Sequence, residues 1–199
     1  MRRVLGRGFL LLSLCAAAAL PARAIEVKIS AQALERTLQA QLFSGAERRY
    51  YIRGGPTSAC YVYAEQPKVT FKDDRVWVHV RTHSKLGTGL KGACLGVSLT
   101  TDADVSFVPE AEGSSVGFRD ARIERASDSR ELNFLLVPFL SRKLPTQMKL
   151  DIAETMGKLL SQSVASTGYA LVLNSLKLHS MTVDHNALLV DVDAALSVN

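Results

Sequence analysis

The feature that most restricts the fold is a two-residue alternation of apolar and polar side chains between about residues 75 and 126. Val76, Val78 and Val80 alternate with polar and aromatic residues. A second stretch has its apolar residues at odd-numbered positions: Val97, Leu99, Ala103, Val105 and Phe107. Because successive side chains of a strand point to opposite faces, each stretch predicts a strand with one buried face. Such strands are typical of antiparallel sheets.

The alternation shifts by one residue in the strand that follows. Val116 and Phe118 share one parity, whereas Ala121 and Ile123 share the other. This shift predicts a β-bulge near Arg119-Asp120, and bulges bend strands and increase their twist. Hairpin turns are expected at Asp73-Asp74, Gly87 to Gly92 and Pro109 to Ser115.

The glycines at 87, 89 and 92 match the G-x-G-x-x-G pattern of dinucleotide-binding loops. In those loops the pattern opens a helix, whose N-terminus receives the pyrophosphate. Here a predicted strand follows the glycines instead. A flexible hairpin turn is therefore the favoured interpretation, and no cofactor is predicted.

Two amphipathic helices flank the predicted sheet. The first runs from about residue 31 to 43, with Ser30 as N-cap and a leucine at every fourth position. The second runs from Thr146 to about residue 165, and Gly168 ends it. Two strands, at about 171–178 and 188–198, close the chain around an Asp184-His185-Asn186 turn. This order predicts an α+β fold, in which a strongly curled antiparallel sheet wraps around one long helix, with a short N-terminal amphipathic helix.

The first 24 residues are typical of a secretory signal peptide. A basic region precedes an apolar stretch at 9–20, and Ala22-Arg23-Ala24 supplies a small-x-small cleavage site. The apolar stretch is shorter than the ~20 residues of a membrane-spanning helix. We expect cleavage after Ala24, export to the periplasm, and a single domain over 25–199. An uncleaved anchor and lipidation of Cys15 are the alternatives.

The charge of the chain lies mainly in this leader. Of 24 basic residues, four arginines fall within 1–24, which leaves 20 basic residues against 19 acidic ones. No nucleic-acid partner is therefore predicted.

Cysteine and histidine spacing bears on two further kinds of site. Cys60 and Cys94 form an even pair in an exported chain, which predicts a disulfide worth roughly 3–4 kcal/mol of stability; two free buried thiols are the alternative. His79 and His83 lie on one strand face, roughly 13 Å apart, too far to share an ion. No metal site is predicted.

The element order resembles that of the tubular lipid-binding superfamily and its small bacterial periplasmic relatives. The resemblance is carried by residues 30–43, the helix from Thr146, and the segments Leu176-Lys177-Leu178 and 186–190. It covers nearly all of the chain after the leader, and it is one of pattern rather than of a diagnostic motif. In that family a curled sheet around a long helix leaves an apolar tunnel. The resemblance therefore implies a lipid or another hydrophobic small molecule as ligand.

The candidate ligand-binding residues are large apolar side chains expected on the inner face of the sheet, on the long helix and in the apolar segment 133–140. They are Val78, Leu99, Phe107, Phe118, Phe134, Phe139, Ile152 and Met156. Segment 133–140 has two interpretations, plain core or a lip at a tunnel mouth. Arg48 to Arg53 is either a soluble edge strand or a transient contact with membrane phosphates.

Catalytic motifs give little support for an enzyme. The chain has no G-x-S-x-G turn, and Lys149 and Lys158 flank the acidic pair Asp151 and Glu154. The leading hypothesis is a non-enzymatic periplasmic protein that encloses a lipid or other apolar ligand between sheet and helix. The alternative is an envelope interaction or structural module with a solid core, and a hydrolase assembled across strands is third. No protein partner is indicated.

Overall fold

The computed structural model describes residues 25–45 and 47–198. The predicted signal peptide lies outside the described residues. The elements in chain order are β1 Ile25–Ser30, α1 Ala31–Gln41, β2 Arg49–Arg53, β3 Tyr61–Lys72, β4 Arg75–Leu90, β5 Ala93–Glu112, β6 Ser115–Arg125, α2 Arg130–Pro138, a π-helix Phe139–Lys143, α3 Leu144–Gln147, β7 Leu150–Asp151, α4 Ile152–Ser161, α5 Ser163–Thr167, β8 Leu171–Asp184 and β9 Ala187–Val198.

The strands form two antiparallel sheets. The larger has the order β2-β3-β4-β5-β6-β7, and the smaller has the order β1-β9-β8. The fold is mainly antiparallel sheet, strongly curled into a half-barrel, with a few helices. The curled antiparallel sheet predicted from the alternation is therefore confirmed. Strand β1 was not predicted, and it pairs with β9 from Ile25↔Val192 to Ser30↔Ala187.

The turns between strands follow the sequence signals. Asp73 and Asp74 have positive φ angles of 52° and 56° in the β3–β4 turn. Lys91-Gly92 is the turn between β4 and β5, whose register is continuous from Val76↔Phe107 to Leu90↔Ala93. The turn is therefore shorter than predicted, because Gly87 and Gly89 pair with Gly96 and Cys94 within the hairpin and only Gly92 lies in the turn.

The predicted bulge is confirmed at Asp120. Arg119 is opposite Val108 and Arg122 is opposite Ser106, so β6 carries an extra residue there. The φ of Asp120 is 51°. The bulge brings this carboxylate to the buried Arg75, whose Nη1 lies 2.9 Å from Asp120 Oδ2. Arg75 also donates to Ser106 Oγ at 2.7 Å and to the backbone carbonyl of Asp120.

We expect the Arg75–Asp120 contact at this bulge to contribute stability at neutral pH that is lost in acid. The hydrogen bond from Arg75 lowers the pKa of Asp120 below its ordinary value. A carboxylate with a lowered folded-state pKa stabilises the fold above its unfolded-state pKa of ~3.9, and this contribution disappears as the pH falls through the folded-state pKa. Asp120→Asn should therefore lower the free energy of unfolding at neutral pH, and the deficit should shrink as the pH falls below the unfolded-state pKa of ~3.9. Urea titrations of the variant and the wild type, from neutral pH to acid, measure this difference in the free energy of unfolding.

Asp128→Asn is the matched control, because Asp128 is exposed and lies outside the Arg75 network. It should change stability by no more than ~0.5 kcal/mol at neutral pH. An Asp120→Asn deficit that is the same at every pH would contradict the role of the ionised carboxylate.

The N-terminal helix is confirmed. Ser30 Oγ accepts a hydrogen bond from the backbone N–H of Ala33 at 3.2 Å, which caps α1. Leu34, Leu38 and Leu42 are buried. They belong to the same continuous cluster as the inner faces of β4 and β5 and the residues Leu136, Leu140 and Leu144. Several short helices therefore cover the sheet.

The single long helix predicted from Thr146 to about residue 165 is not present. The chain leaves the helix after Gln147, and Leu150 and Asp151 pair with Val116 and Ser115 of β6. Asp151 then caps a new helix, accepting from the backbone N–H of Glu154 at 2.8 Å. The spacing of apolar residues does not predict this break in the helix. The break is caused by pairing with β6, which lies about 35 residues earlier in the chain. Gly168, with φ 77°, ends α5 as predicted.

The longest helical run, 18 residues, lies instead at 130–147. Ser129 caps it by accepting from the backbone N–H of Leu132 at 3.2 Å. Pro138 has no N–H to donate, so an α-helical hydrogen bond is missing at that point. The helix widens directly afterwards into the π-helix at 139–143, the kind of local adjustment found where the α-helical pattern is interrupted.

Candidate functional site: an apolar groove between β2 and α2

An apolar groove of about 660 Å³ lies between β2 and the run α2–π-helix. Its volume is within the range of ~300–1,000 Å³ that is usual for small-molecule sites. It is open to solvent rather than enclosed. Its lining is Tyr50, Ile52, Asn133, Phe134, Leu135, Val137, Pro138, Phe139 and Lys143.

Strand β2 forms one wall because it is the edge strand of the larger sheet, as one interpretation of Arg48 to Arg53 predicted. Side chains alternate between its faces, so Tyr50 and Ile52 point to the groove. The Tyr50 ring stacks on Phe139 with a centroid separation of 5.0 Å and meets Phe43 edge-on at 6.5 Å. This wall is therefore aromatic, and its rings pack against one another.

The opposite face of β2 is occupied by internal contacts. The guanidinium of Arg49 lies 4.5 Å from the centre of the Tyr63 ring, and its Nε lies 3.2 Å from Glu65 Oε2. Burial raises the pKa of the Tyr63 phenol. Arg49 is therefore already paired within the protein and needs no external phosphate.

Helix α2 forms the second wall and divides its apolar residues between two environments. Leu132 and Leu136 are fully buried, whereas Phe134 is 80% exposed and Val137 is 36% exposed. Both exposed residues line the groove. Segment 133–140 thus contributes to both predicted alternatives, the core and an apolar lip.

The polar residues of the groove differ in what they can offer a ligand. The side chain of Asn133 accepts from Ser127 N at 3.1 Å and donates to Ser127 O at 2.6 Å, which fixes the turn before α2. Lys143 is exposed, with Arg142 beside it. Within 25–45 and 47–198, neither cation forms an ion pair with a carboxylate. The groove therefore combines apolar walls with unneutralised positive charge at the π-helix.

The eight predicted ligand-binding residues fall into three environments. Five of them, Val78, Phe107, Phe118, Phe139 and Ile152, are buried in the continuous core, and Met156 packs against it. Leu99 is half-buried and Phe134 is exposed. Only Phe134 and Phe139 line the groove.

The expectation that Val97 shares the buried face was wrong, since Val97 is 58% exposed. Strand β5 continues beyond the core at that point.

Seven groove residues were not among the predicted site residues: Tyr50, Ile52, Asn133, Leu135, Val137, Pro138 and Lys143. The two segments that contain them each carry an unusual mixture of apolar and basic residues, and this mixture is the sequence feature that indicates a site. The contact between the two segments, which are some 80 residues apart, cannot be predicted from the sequence because it depends on how the sheet curls.

The histidines of β4 take part in cross-strand contacts. His79 Nδ1 lies 2.7 Å from Asp104 Oδ1, and His83 stacks on Tyr63 with its Nε2 3.0 Å from Glu65 Oε1. In the part of the chain that the structure describes, no three His, Cys, Asp or Glu side chains are grouped to hold a metal ion.

The disulfide prediction is confirmed, since Cys60 and Cys94 are bonded. It joins the residue before β3 to the second residue of β5.

No family model matches the chain, and no curated protein matches it at a significant level. Among residues 25–45 and 47–198, no helix has the length and apolar character to cross a bilayer.

Proposed function

We propose that this protein is a non-enzymatic, periplasmic binding protein that holds an acyl chain with an anionic head in the groove between β2 and α2. One observation carries the proposal: Phe134, 80% exposed, lies in an apolar groove beside the unpaired Lys143. Large exposed apolar surfaces on soluble proteins usually mark binding sites. The resemblance to the tubular lipid-binding superfamily belongs to this proposal, with the ligand in an open groove.

Burial of the chain would supply most of the affinity, at ~0.8 kcal/mol per CH₂ removed from water. The aromatic wall of Tyr50 and Phe139 is already ordered by stacking, so binding costs little side-chain entropy there. Lys143 would interact with the carboxylate or phosphate of the head. The core positions Val78 and Phe107 would then support the sheet rather than contact the ligand.

Removing the exposed ring is expected to weaken uptake without harming the fold. Burial of a Phe side chain is worth ~1.5–3 kcal/mol, and ~1.4 kcal/mol corresponds to a factor of ten. Phe134→Ser should therefore raise the Kd for a pyrene-labelled fatty acid about tenfold or more. Fluorescence titration measures the affinity, and thermal melting checks that the fold is intact.

Leu159→Ser is the matched control, because Leu159 is 63% exposed and does not line the groove. Lys143→Ala should weaken binding of the fatty acid but not binding of the corresponding fatty alcohol. Lys177→Ala on β8 should change the affinity for neither probe. Equal losses for Phe134→Ser and Leu159→Ser would place the ligand elsewhere. A wild-type protein that takes up neither probe would reject the proposal.

A second candidate is an envelope interaction module without a ligand. It is favoured by the filled interior, where Phe107, Leu136, Leu140, Leu144 and Met148 are all no more than 1% exposed. This candidate accounts for the solid core, and absence of probe uptake by the wild type would support it.

A further inference from the structure

Strands β4 and β5 extend beyond the rest of the larger sheet as a two-stranded hairpin, residues 86–98, here called the tip hairpin. On one side, β3 pairs with β4 only as far as Tyr61↔Lys85. On the other, β6 begins to pair with β5 at Asp104. Among the described strands, the tip hairpin therefore has no neighbour to either side.

One face of the tip hairpin is apolar. Leu86 is opposite Val97, Thr88 is opposite Leu95, and Leu90 is opposite Ala93, so these six side chains share a face. The same face of β4 is buried from Val76 to Ser84, half-buried at Leu86 and exposed at Leu90. The core-facing surface of the sheet thus continues into solvent. Leu90, Leu95 and Val97 are 54%, 58% and 58% exposed.

The other face is small and tied to the sheet. It carries Gly87, Gly89 and Gly96, and Cys94 bonds from it to Cys60. A Cβ on Gly87 would lie 2.0 Å from the carbonyl oxygen of Leu95, so the strands approach too closely for any side chain there. The tip hairpin is therefore supported from its glycine face, which leaves the leucines and Val97 uncovered.

Charge around the tip hairpin has one sign. Between Asp74 and Asp102 the sequence contains no acidic residue, and Lys85 and Lys91 flank the exposed leucines. Lys91 is exposed in the turn itself, and Lys85 Nζ lies 5.7 Å from the centre of the Tyr61 ring. The rest of the described chain is almost neutral, so this is a local concentration of positive charge on an apolar projection.

We propose that the tip hairpin docks on an anionic phospholipid bilayer. Exposed apolar side chains flanked by lysines suit the membrane interface, where the apolar side chains enter the acyl boundary and the lysines are attracted to anionic lipid. Pairing with a second copy of this chain suits the surface less well, because it would bring like-charged lysines together. The docking surface is separate from the β2–α2 groove and does not depend on a ligand there.

Co-sedimentation with vesicles tests this inference. The wild type should bind vesicles of equal parts phosphatidylglycerol and phosphatidylcholine, and bind pure phosphatidylcholine much less. Leu90→Ser/Leu95→Ser/Val97→Ser should reduce the partition coefficient about tenfold or more, since three apolar side chains no longer enter the bilayer. Lys85→Gln/Lys91→Gln should remove most of the preference for anionic vesicles and its dependence on salt.

The matched control is Leu159→Ser/Val172→Ser/Leu196→Ser, which removes three exposed apolar side chains that lie outside the tip hairpin, on α4, β8 and β9. It should bind vesicles as the wild type does, and so should Phe134→Ser, which separates this inference from the groove proposal. Circular dichroism confirms that each variant is folded. Leu95→Trp in a Trp77→Phe background should shift its emission to the blue on anionic vesicles, whereas Leu159→Trp should not.

Three results would overturn the inference. The first is a wild type that binds neither vesicle type, and the second is a control triple variant that loses as much binding as the tip variant. The third is a concentration-dependent dimer, abolished by the tip substitutions, together with no vesicle binding, which would assign the surface to a second copy of the chain.

Discussion

Leu136→Asp is expected to unfold the protein, with a loss of more than about 4 kcal/mol in the free energy of unfolding. Leu136 is fully buried in the continuous core, among the inner faces of the sheet. An aspartate there leaves a carboxylate in apolar surroundings, where it lacks a partner, and the surrounding leucines lose their packing. Urea denaturation followed by circular dichroism measures the loss directly.

Phe134→Asp is the matched control for this substitution, two residues away in the same helix. Phe134 is 80% exposed, so a carboxylate at that position remains hydrated. We expect a change of no more than ~0.5 kcal/mol. Comparable losses for the two variants would mean that both faces of α2 are buried, and the groove would then not exist as described.

Removing the disulfide is expected to have the second largest effect. Replacing Cys60 and Cys94 with serine releases a loop closed over a sequence separation of 34 residues. The chain-entropy estimate for a loop of this length is roughly 3–4 kcal/mol of lost stability. Denaturant titration of the double variant against the oxidised wild type gives the difference. Equal free energies of unfolding would contradict the stabilising role of this bond.

The same variant should also show where the bond acts in the folded state. A two-stranded hairpin alone is marginally stable in water, and the disulfide is the covalent tie of the tip hairpin to the sheet. Amide hydrogen exchange should therefore accelerate most at 86–98, with less change in the Arg75–Val80 part of β4. Uniform acceleration along β4 would show that the bond supports the whole sheet instead.

The position of the groove changes how a ligand would be held. A tunnel around a central helix would remove the whole ligand from water, whereas a groove at the edge strand leaves one side of it hydrated. Tyr50 and Phe139, which stack in one wall, connect the groove directly to the core through Phe43. Substitutions at Phe139 would therefore mix effects on binding and folding, and Phe134 is the better probe.

Sequence alone was sufficient for features that depend on neighbouring residues. The strand alternation, the bulge at Asp120, the turn at Asp73-Asp74 and the Ser30 cap each arise from side-chain direction or backbone preference within a few residues. These preferences act locally and leave a readable period in the sequence. The Cys60–Cys94 bond followed from an even count of cysteines after the leader.

Only the tertiary structure decided which apolar residues are covered. The break at Leu150-Asp151 requires β6 as a partner, and the exposure of Val97 and Leu90 depends on where the neighbouring strands end. In the same way, Tyr50 and Phe134 become two walls of one groove only because the sheet curls toward α2. The alternation of apolar residues in the sequence is the same whether or not a helix packs on that face of the strand. Burial depends on the surface that packs against a residue, and that surface can be many residues away along the chain. Burial is therefore decided only when the elements pack together.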